Sequence, residues 1–141
     1  MSFFLLAPEV AGGWGSGTVV DTERHPPVVK HLHYQFDGWL GDELLESFPC
    51  FIVTVAVGSK LTDAGLSGFE LGSVEISKSD TFLELHPERS VPEFQWLRVA
   101  GAAGVADLGL TKQHQLVVSD RALQILRNGQ LAHCEVSEWP V

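Results

Sequence analysis

The apolar residues fall in short runs of alternating or continuous type, and each run is bounded by glycine, proline or a capping residue. Phe3 to Ala7 reads as a strand that Pro8 ends. Residues 8–27 read as a long connection, punctuated by Pro8, Gly12, Gly13, Gly15, Gly17, Pro26 and Pro27, with Thr18-Val19-Val20 as an apolar island inside it. Val28 to Phe36 is rich in β-formers. Period-two alternation puts Val28, Lys30, Leu32, Tyr34 and Phe36 on a core face, and Val29, His31, His33 and Gln35 on the other.

Asp42 to Ser47 reads as one or two helical turns, with acids early and Pro49 as the stop. Phe51 to Thr54 fits a strand or the lead into a helix reaching Ala64, with Gly65 at its C′ position. Phe69 to Ile76 alternates as a strand with one break near Gly72-Ser73. Ser79 caps a helix through Leu85, which His86-Pro87 ends. Phe94 to Val99 is a further strand, and residues 100–111 form a Gly/Ala loop. Leu116 to Val118 makes a short strand. Ser119 or Asp120 then caps the helix Arg121 to Arg127, which Asn128-Gly129 closes before a last strand, His133 to Val136.

No internal repeat or composition break divides the 141 residues. Short strands and helices in irregular order predict one α+β domain of residues 1–141, with a mixed or mainly antiparallel sheet and three or four short helices. At 45% apolar residues the chain can bury a real core. The opening apolar run has no basic leader and stops at Pro8-Glu9, too short for a secretory signal, and no run approaches a membrane span. Cys50 and Cys134 are too few for a disulfide framework; one bridge between them is an alternative, and buried free thiols are the preferred reading. A soluble, cytoplasmic protein is expected.

Charge sharpens the picture. The net charge is −9, and residues 37–93 hold eleven acids against Lys60, Lys78 and Arg89. Such a field disfavours nucleic acid, which needs clustered Lys and Arg, and would steer a basic partner.

The candidate chemistry is sparse. The Gly12 to Thr18 segment has neither the spacing nor the lysine of a phosphate loop, and β-branched residues follow it, so it reads as a flexible turn. His31 and His33 could reach one ion from one strand face, with a third ligand from His86, His133, Cys134 or a carboxylate. They are candidate metal ligands, but no local pattern completes a site, and no cofactor is expected. His133-Cys134 places its two residues on opposite strand faces, and no nucleophile elbow occurs, so no catalytic residue is assigned.

The segment from Asp37 to Pro49 stands out. Asp37, Trp39, Asp42, Glu43 and Glu46 combine acids with an aromatic anchor, as a surface for a basic protein would; the same pattern also fits inward packing of Trp39, Leu44, Leu45 and Phe48 beneath solvated acids.

Phe36-Asp37-Gly38-Trp39-Leu40-Gly41-Asp42, Ser47-Phe48-Pro49-Cys50, and the tail from Leu116 to Leu126 followed by Leu131 to Val136 resemble small immunity proteins of bacterial polymorphic-toxin systems. The likeness spans residues 30–138 as an order of strand, capped helix and strand. It implies a protein that binds and blocks a toxin domain, one that many such systems make basic. Some relatives carry paired C-x-x-C motifs, which this chain lacks, so the likeness transfers no metal site and no catalytic set. The reading is a toxin-neutralising binding module. The alternative is a metal-dependent or small-molecule enzyme using His31 and His33 with distant carboxylates.

Overall fold

A computed structural model describes residues 2–140. In chain order the elements are β1 (Phe3–Ala7), β2 (Gly12–Trp14), β3 (Val19–Asp21), β4 (Val28–His31), β5 (His33–Phe36), β6 (Leu44–Ser47) and β7 (Cys50–Thr54). There follow α1 (Val55–Asp63), β8 (Phe69–Gly72), β9 (Glu75–Lys78), α2 (Asp80–Leu85), β10 (Phe94–Val99), β11 (Leu108–Leu110), β12 (Leu116–Ser119), α3 (Asp120–Asn128) and β13 (Glu135–Trp139). The protein is a mixed α+β domain whose sheets are mostly antiparallel, as the sequence pattern predicts.

A central antiparallel sheet, β6-β7-β10-β8, separates two cores. Its register sets Leu44 beside Val53 and Phe51 beside Leu97 on one face, and Leu45 beside Ile52 and Trp96 on the other. The first face packs against α1, α3 and the sheet β11-β12-β1-β13 through Leu61, Leu108, Val118 and Leu123. The second packs against the small sheet β2-β5-β9 and α2 through Tyr34, Phe36, Ile76 and Phe82. Within that second core Phe36 touches Tyr34, Phe82 and Phe94, with ring centroids 4.9–6.5 Å apart, each contact adding about 1 kcal/mol to the burial of the rings themselves.

This arrangement corrects the helix expected over Asp42 to Ser47, which is a bend followed by strand β6. Leu44 and Leu45 are consecutive, and each must enter a different core. A strand sends neighbours to opposite faces, whereas a helix sets them only about 100° apart. The break near Gly72-Ser73 is a change of sheet: β8 pairs antiparallel with β10, and β9 pairs parallel with β5. The long connection and the Gly/Ala loop hold short strands of their own, β2, β3 and β11. The core face expected over Val28 to Phe36 holds from Leu32 onward; Val28 and Lys30 lie on the exposed hairpin β3–β4.

Helix ends follow their capping residues. Thr54, Ser79 and Ser119 each accept a backbone N–H three residues on, and Gly65 takes the left-handed φ of +69° just past α1. Cys50 and Cys134 are free thiols, one buried and one half-buried. Among the described residues no helix is long and apolar enough to cross a membrane.

Candidate binding surface

The five acidic and aromatic residues singled out from the sequence do not share one face. Asp37 is exposed, Trp39, Glu43 and Glu46 are half-buried, and Asp42 is wholly buried. Asp42 is therefore not a partner-facing charge; it is part of the scaffold.

Its role follows from its partners. Asp42 Oδ2 accepts the backbone N–H of His133 at 2.8 Å, and Oδ1 lies 3.1 Å from His133 Nδ1. Beside it Glu9, 7% exposed, accepts the N–H of Leu40 at 2.7 Å and of Asp42 at 3.3 Å. Trp39 Nε1 donates to the Asp42 carbonyl at 2.9 Å. Gly41, at φ +110°, makes the turn between them in a conformation L side chains avoid. Residues 39–42 are thus tied from below by two buried carboxylates and from the side by an indole.

Glu43 continues the clasp. Its carboxylate accepts the Gln130 N–H at 2.9 Å and the Thr54 hydroxyl at 2.8 Å, and its own N–H donates to the Gln130 carbonyl. Its charge serves to dock the turn after α3. Glu46 sits on β6, where burial pushes its carboxyl above the ordinary range.

Glu9, Asp42 and His133 each place one ligand-type atom within 4.8 Å of the others. All four carboxylate oxygens already accept N–H groups or face the imidazole, so the cluster is satisfied as a hydrogen-bonded clasp. Glu9 and His133 lie 33 and 91 residues from Asp42 in sequence, and no local pattern could have joined them.

What the clasp presents is a shallow concavity of about 450 Å³ that includes Val10, Asp37, Trp39, Leu40 and His86. Val10 and Leu40 are 66% and 62% exposed, among the most exposed large apolar residues described. Trp39 forms the wall, edge-on to Phe94 and covered by the Arg89 guanidinium 4.8 Å above its ring. Trp39 itself is half-buried.

His31 and His33 do converge, but on a carboxylate. His31 Nε2 lies 3.3 Å from Glu75 Oε1. His33 Nδ1 accepts the Gly17 N–H at 2.9 Å, which leaves Nε2 to donate to Ser77 Oγ at 2.6 Å. With Nδ1 an acceptor, the 3.8 Å approach of Glu75 Oε2 is not an ion pair. No ring nitrogen of the buried His33 is free for a metal, and the Gly-rich segment is explained at the same place. A Cβ at Gly15 would run into the His33 ring, so glycine is what lets the backbone lie against it.

No family model matches the sequence, and no curated protein matches it.

Proposed function

We propose that this chain is a protein-binding module of the immunity class, which neutralises a cognate basic toxin domain by covering its surface. The observation that carries the reading is the pairing of exposed Val10 and Leu40 with Asp37 and the half-buried Trp39, on a backbone fixed by buried Glu9 and Asp42. An apolar centre with an acidic margin suits a basic partner that offers an apolar side chain. A loop already held in shape loses little entropy on binding. The charge of −9 supplies long-range steering. The immunity class itself rests on the resemblance of residues 30–138.

Tagged protein passed through the lysate of its own cells is expected to retain one basic protein, less of it as salt rises. Expressed alone in a bacterial host, that protein should arrest growth, and this chain should relieve the arrest. Leu40→Glu and Asp37→Lys, both at exposed positions, should each weaken the complex by tenfold or more (about 1.4 kcal/mol) and lose the relief, while Glu84→Lys on the exposed face of α2 should not. A captured protein with no effect on growth, or equal rescue by Leu40→Glu, would overturn the reading.

A further inference from the structure

A second cleft, of about 420 Å³, opens at the end of the central sheet, where β7 begins and β10 leaves. It shares no lining residue with the concavity around Leu40. Its floor is Cys50, Trp96 and neighbouring sheet residues, its roof the strap from Arg24 to Val29, and its far wall Leu110 and His114.

The charge of this cleft is opposite to that of the protein. None of the eighteen acidic residues lines it, whereas Arg24, His25, Arg98 and His114 all do. Arg98 is held in place by packing. Its guanidinium lies 4.8 Å over the Trp96 ring, and its stem passes where a Cβ on Gly72 would be in van der Waals contact. Glu70 is its cross-strand neighbour on β8, yet among the described residues no carboxylate comes within 4.0 Å of Arg98. Arg24 is loosely paired with Asp21 at 3.7 Å and mostly exposed.

His114 reaches the wall from a backbone at φ +61°, the one described non-glycine residue in the left-handed region. The Thr111–Gln115 turn enforces that conformation: the Thr111 hydroxyl accepts the N–H groups of Gln113 and Gln115, and the His114 N–H donates to the Thr111 carbonyl. The Cys50 thiol is pushed up to about 12 by burial, against the pull of Arg98, so it stays protonated and offers a neutral wall.

We infer that this cleft binds a small organic anion with a flat apolar body, of the aromatic carboxylate class. The ring would lie among Trp96, Pro26 and Leu110, and its carboxylate would meet the planar fork of Arg98, with N–H donors from His25 and His114 at the margin. A neutral ring of the same shape would keep the apolar contacts and lose the fork.

The test is calorimetric titration with 1-naphthoate and with its neutral counterpart 1-naphthalenemethanol, with amide and indole NMR shifts to locate each. The acid should bind about tenfold or more tighter than the alcohol, with shifts at the Trp96 indole. Arg98→Gln should remove that advantage and leave alcohol binding unchanged; Arg24→Gln, a second variant on the exposed strap, should reduce it less. Unchanged circular dichroism and urea midpoints certify both variants as folded. Equal affinity for acid and alcohol, no saturable binding of either, shifts away from Trp96, or an advantage that survives Arg98→Gln would each overturn the inference. None of these outcomes bears on the protein-binding surface.

Discussion

Replacing Asp42 with alanine is expected to lower the free energy of unfolding by about 3 kcal/mol, against no more than about 0.5 kcal/mol for Asp37→Ala in the same acidic segment. The difference lies in burial and partners. Asp42 is fully enclosed and accepts the His133 N–H, with the imidazole at 3.1 Å; Asp37 is exposed and its side chain has no such ties. Truncation leaves the His133 N–H without its acceptor, opens a void in a fully enclosed site, and unties the turn before β13 from the bend before β6. Asp42→Asn keeps the volume and one acceptor oxygen, so about half the loss is expected. Urea unfolding followed by tryptophan fluorescence, with slopes compared to exclude a change in the unfolded state, makes the measurement. If Asp42→Ala and Asp37→Ala unfold alike, the clasp does not hold the loop, and the preorganised surface loses its foundation.

The elements whose signals are local were legible in the sequence. Ser79 and Ser119 announce α2 and α3 through the oxygen that takes the third N–H on, and Gly65 marks the end of α1 by the φ only it adopts readily. Strand β10 is legible because Phe94, Trp96, Leu97 and Val99 crowd four apolar residues, most of them good β-formers, into six positions. What misled was Asp42 to Ser47. Its acids and leucines at helical spacing are the same letters a strand needs when it lies between two cores, and only the partner strands β7 and β10 decide between them.

The site was legible in smaller part. Sequence reasoning finds the segment 37–46 but assigns its charges to solvent, because it has no means of seeing that Glu9 and residues 130–133 close over them. Val10, which stands beside Leu40 at the concavity, sits in a stretch that reads as plain connection. The pairing of His31 with His33 does follow from alternation. Its outcome, convergence on Glu75 with His33 already engaged by Gly17 and Ser77, depends on the parallel pairing of β5 with β9, which brings His31 to Glu75 and His33 to Ser77 across 44 residues of sequence.

The fold is expected to be alkali-labile, and the order in which its buried acids fail can be read out. Tyr34 is pushed up from 10.0 to about 12, chiefly by burial and against the N–H of Ala11; Cys50 rises from 9.0 to about 12 and Cys134 from 9.0 to about 11, again by burial first. In each case the folded chain holds its proton where the unfolded chain releases it. The associated stability is thus complete below about pH 9 and is lost as pH climbs through 11 to 12. For Tyr34, fully buried, the loss is on the order of 2–3 kcal/mol, and for Cys50 it is on the order of 3–4 kcal/mol. Urea midpoints in reducing buffer should fall steadily from pH 9. Cys50→Ala should flatten the first part of that fall, and Tyr34→Phe only the part above pH 10. At neutral pH Tyr34→Phe should also cost about 2 kcal/mol, because its hydroxyl accepts the Ala11 N–H and donates to the Glu46 carbonyl. Tyr34 is the only tyrosine in the chain, so tyrosinate absorbance reports on it alone. In the native protein that absorbance should rise near pH 12 together with unfolding, and in urea near pH 10. A native tyrosinate signal near pH 10 with the fold intact would mean that the hydroxyl is not sealed between Ala11 and Glu46.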